Sequence, residues 1–259
     1  NPMIVHISQK GDMTKLTDGI TPDVEKLMAA FWPGPLTFVL PRKDENPALD
    51  LVCAGLKTIT VRCPRHPAAL ELIRKSGVPI AAPSANRSQT ISPTTAQAVY
   101  ESLGDRVDMI LDGGSCTVGV ESTIIDVTGS NIVILRAGGT SKEDLEKFLN
   151  EKVLLSLGNP NQPSAPGQLL KHYAPNHPLR INAATRQPGE FFIGFGKIAD
   201  CDLNLSPAGD LREAAANLFA FLRRADAAPG YTGLAMSPVP EHGLGLAIND
   251  RIRRASYKA

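Results

Sequence analysis

Apolar residues recur along this chain in two rhythms, one of three and four residues and one of two. Val24, Leu27, Met28 and Phe31 follow the first and predict a helix over 22–31, with Thr21 as its cap and Pro22 at its first position. Trp32-Pro-Gly-Pro stops it. Leu36-Thr-Phe-Val-Leu predicts a buried strand ended by Pro41. Thr58 to Arg62 alternates and predicts a second strand, and Ile4-Val-His6 is a third. A short amphipathic helix follows over 67–75, then a buried strand over 78–82. Ser92-Pro93 has the grammar of a helix start and predicts a helix running to Leu103. Met109 to Asp112 reads as a strand that Gly113-Gly114 turns. Ser122 to Val127 and Ile132 to Arg136 read as paired strands around Gly129-Ser-Asn. Ser141 caps a helix to Leu149, with Asp144 as an acidic relative of the capping box.

The pattern breaks at Gly158-Asn-Pro-Asn-Gln-Pro-Ser-Ala-Pro-Gly, where three prolines and two glycines in ten residues make a linker. Beyond it, Leu179 to Asn182, Phe191 to Gly196 and Gly233 to Met236 are strand-like, while 211–224 and 246–255 are amphipathic helices. Strands alternating with helices predict an α/β protein. A first domain is expected over 1–150, a linker over 151–177, and a small α/β domain over 178–259.

The 259 residues are 42% hydrophobic and 20% charged, enough to pack a core, and the net charge is +1. That balance argues against bulk electrostatic adhesion to nucleic acid. The four cysteines, Cys53, Cys63, Cys116 and Cys201, form no CxxC pair and suggest reduced, mostly buried thiols in a cytoplasmic protein. No metal-ligand spacing, membrane-length apolar run or signal peptide is visible.

Hydroxyls and amides crowd the stretch APSANRSQTISPTT at 82–95, where a strand gives way to a helix. Ser84, Asn86 and Ser92 there suit either an anion site at a helix start or an ordinary cap and turn, and the residues alone leave both open. Arg62 and Arg136 each end a strand beside a turn, a position suited to a carboxylate or phosphate fork or to a plain surface arginine. His6, at the end of its strand, reads as a packed histidine as readily as a ligand. No P-loop, dinucleotide fingerprint or Ser–His–Asp pattern is present.

Taken in order, Asn1-Pro-Met-Ile-Val-His, Trp32-Pro-Gly-Pro-Leu-Thr, Thr60-Val-Arg-Cys-Pro, Ala82-Pro-Ser-Ala-Asn-Arg-Ser, Ser92-Pro-Thr, Gly119-Val-Glu-Ser-Thr-Ile and Ile134-Leu-Arg-Ala-Gly-Gly resemble the YrdC-type L-threonylcarbamoyladenylate synthases. Ala165-Pro-Gly-Gln-Leu-Leu-Lys-His-Tyr-Ala-Pro and Gly243-Leu-Gly-Leu-Ala-Ile-Asn-Asp-Arg resemble the linker and C-terminal domain of the two-domain members. The resemblance implies a twisted mixed sheet with helices over 1–150, a small Rossmann-like α/β domain over 178–259, and a nucleotidyltransferase that joins L-threonine, bicarbonate and ATP into threonylcarbamoyl-AMP and pyrophosphate. Downstream proteins would pass the threonylcarbamoyl group to the tRNA adenosine next to the anticodon, so tRNA is an indirect partner, with no membrane involved. It assigns Thr58, Ser84, Asn86, Ser92 and Arg136 to ATP, and His6, Arg62, Ala82 and Ser122 to threonine. Mg²⁺ would be bound through the ATP phosphates, with no protein metal site. His172 and Tyr173 would close the site or anchor the linker. The family's Lys-x-Arg motif is expected upstream of Asn1, so no catalytic residue is assigned within these residues. Gln168-Leu-Leu stands where several relatives carry a tyrosine.

Two other readings fit some of the residues. A double-stranded-RNA-binding module could use Arg62, Arg87 and Arg136, and specific binding of threonine would discriminate against it. A carbamoyltransferase-related protein of hydrogenase maturation carries a similar domain, but the lack of CxxC pairs counts against it.

Overall fold

The structure, a computed structural model, describes residues 2–43, 47–156, 166 and 172–257. Most of the linker, with Gln168 to Leu170, lies outside them. In chain order the elements are β1 (Ile4–His6), α1 (Pro22–Phe31), β2 (Leu36–Pro41), α2 (Pro47–Cys53), β3 (Thr58–Arg62), α3 (Pro67–Ser76), β4 (Ile80–Ala82), α4 (Ala96–Leu103), β5 (Thr123–Asp126), β6 (Val133–Arg136), α5 (Lys142–Leu149), β7 (Leu154–Leu155), β8 (Leu179–Arg180), β9 (Glu190–Gly194), β10 (Leu203–Asn204), α6 (Leu211–Asp226), β11 (Gly233–Met236) and α7 (Gly245–Ala255). The mixed α/β class expected from the sequence is the one observed.

The chain divides into two compact units, Asn1–Pro83 with Glu121–Gln168, and Ser84–Val120 with Leu169–Ala259. The segment 84–120, which the sequence reading kept with the first 150 residues, therefore groups with the C-terminal residues.

The first unit is built on a seven-stranded mixed sheet in the order β4-β1-β3-β2-β5-β6-β7. Its registers sort the side chains by parity. Ile4, His6, Thr60 and Arg62 pair across β1 and β3, and Val39 and Pro41 on β2 pair with Thr60 and Thr58. These residues share one face of the sheet. Val5, Leu36, Phe38, Leu40, Ile59, Val61 and Ile125 face the other way and join Leu27 and Met28 of α1 and Leu145 of α5 in the main core. On the first face only Ile4, Val39 and Ile124 form a small apolar cluster, with Leu135 packed against it. The remainder of that face carries hydroxyls, a histidine and a guanidinium.

Local chemistry fixes these elements. The Thr21 hydroxyl accepts from the Val24 amide at 3.4 Å and caps α1. Gly34 follows so closely behind α1 that a Cβ there would overlap the Phe31 carbonyl. Ser141 accepts from the Asp144 amide and donates to its carboxylate at 2.6 Å, as the capping pattern predicts. β5 and β6 pair antiparallel with a shift between Ile124 and Ile125, which brings Arg136 opposite Ile124.

The second unit holds a four-stranded, all-parallel sheet in the order β10-β9-β11-β8. α6 makes the crossover from β10 to β11 and buries Ala214, Ala215, Leu218, Phe219 and Leu222. Phe192, Ile193, Leu234 and Met236 of the sheet are also fully buried.

Three expectations are corrected. The helix expected from Ser92 begins at Ala96, capped by Thr95, whose hydroxyl accepts from the Ala98 amide at 3.2 Å. The backbone at Thr94 is instead engaged by the Cys116 amide, which donates to its carbonyl at 2.9 Å. Met109 to Asp112 forms no strand, and Met109 and Leu111 stand 76% and 62% exposed. An apolar run becomes a strand only where a neighbour supplies hydrogen bonds, and this one has no ladder partner among the described residues. The strand over 78–82 starts at Ile80 and is a half-buried edge, with Val78 exposed. Of the cysteines, Cys53 and Cys63 are buried, Cys201 is half-buried and Cys116 is exposed.

Candidate functional site

Six of the residues singled out from the sequence belong to the first unit: His6, Thr58, Arg62, Ala82, Ser122 and Arg136. β1 and β3 run parallel, and their register sets His6 beside Arg62. β4 runs antiparallel to β1 and brings Ala82 opposite Ile4 and Ile80 opposite His6. His6 Nδ1 lies 3.3 Å from the Ile80 carbonyl. A carbonyl only accepts, so Nδ1 carries the proton of the neutral ring. Removal from water, helped by the Arg62 charge, pushes the His6 pKa down to about 4. At neutral pH His6 therefore adds no charge beside the guanidinium.

Arg62 Nε donates to the Gly34 carbonyl at 3.0 Å. The Gly34 amide donates to the Cys63 carbonyl at 2.9 Å, so the turn after α1 and the end of β3 hold each other. This fixes the root of the guanidinium fork. Thr58, at the start of β3, lies on the same face as Arg62 and is half-buried.

Ser122 precedes β5 and is buried. Its hydroxyl accepts from Thr37 Oγ1 at 2.7 Å and from Arg136 Nη2 at 3.1 Å. Arg136, itself buried, also grips the Ser122 carbonyl through Nε at 3.1 Å and Nη2 at 2.8 Å, while Nη1 donates to the Pro166 carbonyl at 3.3 Å. The strand-end fork expected for an anion is thus closed on the main chain of Ser122. Below it, Gly138 passes so near the Glu121 carbonyl and the Ser122 backbone that a Cβ would overlap them. The glycine after Arg136 is what lets the two strands meet there. The sequence reading missed Thr37 and Thr140, which brace this corner through Ser122 and through the Thr123 hydroxyl and Pro35 carbonyl. The signal for Thr37 was a hydroxyl inside the otherwise apolar run Leu36-Thr-Phe-Val-Leu; Thr140 had none.

Ser84, Asn86, Ser92, His172 and Tyr173 belong to the second unit. The Asn86 amide donates to the Ser84 carbonyl at 3.0 Å and closes a tight turn. Asn86 Nδ2 contacts the Arg87 and Thr90 carbonyls at 2.9 and 3.1 Å and Thr90 Oγ1 at 3.3 Å. Asn86 Oδ1 is buried and has no hydrogen-bond partner among the described residues. Ser84 is exposed and Ser92 is buried. Ala174 pairs with Thr90 in an isolated parallel bridge, its amide donating to the Gln89 carbonyl at 2.8 Å. Tyr173 is 1% exposed, stacks on Phe219 with centroids 5.2 Å apart, and lies under the Arg251 guanidinium at 5.6 Å. The His172 ring meets the Tyr173 ring edge-on at 4.0 Å. In the second unit Tyr173 is thus a core anchor.

Among the described residues no group of three or more His, Cys, Asp or Glu side chains could hold a metal ion. No helix is long and apolar enough to cross a membrane.

A model of the family of Sua5, YciO and YrdC proteins, described as "Telomere recombination", matches residues 1–138. A second, described as "Threonylcarbamoyl-AMP synthase, C-terminal domain", matches residues 140–256. The chain belongs to the Sua5/YrdC family. Among curated Sua5/YrdC relatives, a threonylcarbamoyl-AMP synthase of Pyrococcus abyssi is 37% identical over 99% of this chain and 80% of its own. One of Bacillus subtilis is 38% identical over 99% of this chain and 79% of its own. The crystal structure of P. abyssi Sua5 complexed with L-threonine is 36% identical and superposes with a TM-score of 0.89, covering 99% of this chain and 80% of that one.

Proposed function

We propose that this chain is a threonylcarbamoyl-AMP synthase, a nucleotidyltransferase that forms threonylcarbamoyl-AMP and pyrophosphate from L-threonine, bicarbonate and ATP. The observation that carries this reading is likeness over nearly the whole chain, 37% and 38% identity to two relatives named for that activity. The polar sheet face of the first unit supports it. There Arg62 forks the threonine carboxylate, with its root fixed on Gly34. His6 stays neutral beside it and so does not repel the threonine amine. Ser122, held by Thr37 and Arg136, offers a positioned hydroxyl, and the backbone at Ala82 completes the set.

In the second unit Ser84, Asn86 and Ser92 are the residues assigned to ATP, and in the first unit Thr58 and Arg136 are. The unpartnered Asn86 Oδ1 suits a donor on the nucleotide, such as a ribose hydroxyl or the base amine. Arg136 holds Ser122 through Nε and Nη2, and Nη1 is the arm directed elsewhere, toward the Pro166 carbonyl at 3.3 Å. Hydroxyls and an amide do not make a metal cage, so Mg²⁺ enters on the triphosphate, where it neutralises phosphate charge. The threonine amine adds to carbon dioxide with loss of a proton, or to bicarbonate with loss of water, forming a carbamate. A carbamate oxygen then attacks the α-phosphorus, and the α–β bridging bond breaks to release pyrophosphate. The protein contributes positioning and charge complementarity. The product is consumed by threonylcarbamoyl-transfer proteins that act on tRNA, and the cytoplasm is where these partners meet.

The test is pyrophosphate release from ATP, Mg²⁺ and bicarbonate with and without L-threonine, on the full-length protein. Release that depends on threonine is expected. Release without that dependence, or none at all, would remove the synthase reading and return RNA binding to the front.

A further inference from the structure

The loop that carries Ser84, Asn86 and Ser92 is short of structure of its own. Within 84–92 the bonds seen among the described residues include the Asn86 turn, the Asn86 Nδ2 contacts with Arg87 and Thr90, and the Thr90 contacts with Arg87, while the Arg87 amide donates to Ser102 Oγ of α4 at 3.1 Å. Its far end is held from outside by two residues distant in sequence. Arg223, on the last turns of α6, donates through Nη2 to the Ile91 carbonyl at 2.6 Å, immediately before Ser92. Ala174 donates to the Gln89 carbonyl at 2.8 Å. Ile91 is itself buried, and Arg223 is half-buried, with its Nε enclosed and unpartnered. A guanidinium in that setting is costly unless its bond is worth keeping, and a charged donor on a carbonyl is among the stronger neutral-acceptor bonds. No group on the loop itself could replace it, since Arg87, the only charge between 82 and 95, is exposed.

We propose that Arg223 is a positioning residue for the nucleotide, through which the C-terminal domain sets the shape of the 84–92 loop. Arg223 touches no reacting atom. It pins the Ile91 carbonyl and so fixes the direction in which Ser92 leaves the loop and the span from Asn86 to Ser92. This rests on the reading that the loop holds ATP. It gives the appended domain a task inside the reaction, and that task is specific to one substrate.

Two readouts on Arg223→Met test it, one for the grip and one for its consequence. Hydrogen exchange of the amides over 84–95 should quicken, while exchange in β2 and β3 stays as in the parent. The KM for ATP should rise roughly tenfold, the cost of one charge-assisted hydrogen bond, while the dissociation constant for threonine is unchanged. Arg223→Lys, which keeps a cationic donor, should recover part of the ATP effect. An unaltered KM for ATP, or equal losses for ATP and threonine, overturns the proposal. Should Arg223→Met fail to fold, Arg223→Gln carries the same measurements. Asn86→Ala separates the two ideas: if it leaves the KM for ATP untouched, the loop does not hold the nucleotide, and that reading fails even where the exchange data show the grip.

Discussion

His6 is the residue whose chemistry departs furthest from its ordinary value. Its folded pKa of about 4 lies below the usual 6.5, because the ring is removed from water beside Arg62. Below pH 6.5 the unfolded chain takes up a proton that the folded chain refuses until about pH 4. The unfolded state binds more protons across that window, so stability falls as the pH falls through it and is restored above it. The loss should approach about 2–3 kcal/mol at the lower end. Urea unfolding at pH 6.5 and pH 4.5, on the parent and on His6→Gln, reads it directly. The parent should lose more of its stability than the variant. Equal losses would place the acid sensitivity elsewhere. Ser122 shows a different use of single residues. Its hydroxyl and carbonyl are both spoken for by Arg136, so the arginine that looked like a free fork in the sequence is half of a buried clasp. A strand-end arginine looks the same in a sequence whether it faces an anion or a carbonyl at the start of the neighbouring strand. Only the β6 bulge decides which.

At the level of elements, most of what periodicity predicts is present. α1, β2, β3, α5, α6 and β11 follow from spacing and caps that act within a few residues. The alternation of Thr58 to Arg62 was legible in the sequence, but the polar face that β3 shares with β1 shows only once their register sets His6 beside Arg62. What failed needed a distant partner. The 92–95 stretch offers three hydroxyls at a helix start, and sequence alone chose Ser92 because proline follows it. The backbone around Thr94 is tied to Cys116, a residue more than twenty positions on, which leaves Thr95 as the first free cap. The same blindness turned 109–112 into a strand. Thr95→Ala should therefore cost about 1 kcal/mol of stability, read as a lower midpoint in urea. A variant as stable as the parent would mean that the first turn of α4 is held by something other than this hydroxyl. The elements no local pattern announced, α2, β7 and β10 and the turns at 10–15 and 104–106, are two to seven residues long, too short for a period to show.

At the level of the whole molecule, chain order and compactness disagree. The segment 84–120 interrupts the first unit in sequence and joins the C-terminal residues in space. Its own regular structure is the eight-residue α4 and one turn of 3₁₀ helix, less than an isolated helix needs to persist in water. Its order comes from the residues it packs on. Gly119 sits against the Ala215 carbonyl and Ala216 Cα of α6 with no room for a Cβ, Arg223 holds Ile91, and Ala174 pairs with Thr90. The first unit has no such debt, because Val5, Phe38, Val61, Ile125 and Leu145 close its core from its own strands and helices. A chain ending at His177 should keep that core and lose the order of 84–120. Limited proteolysis would then cut first between Ser84 and Val120, at exposed positions such as Arg87 and Met109, while β2, β3 and β5 stay protected. With the loop adrift, threonine should still bind and ATP should not, which separates this outcome from general unfolding. If 84–120 resists cleavage as well as it does in the full chain, the segment carries its own stability. The C-terminal domain would then owe its place to some other contact than the one with the loop.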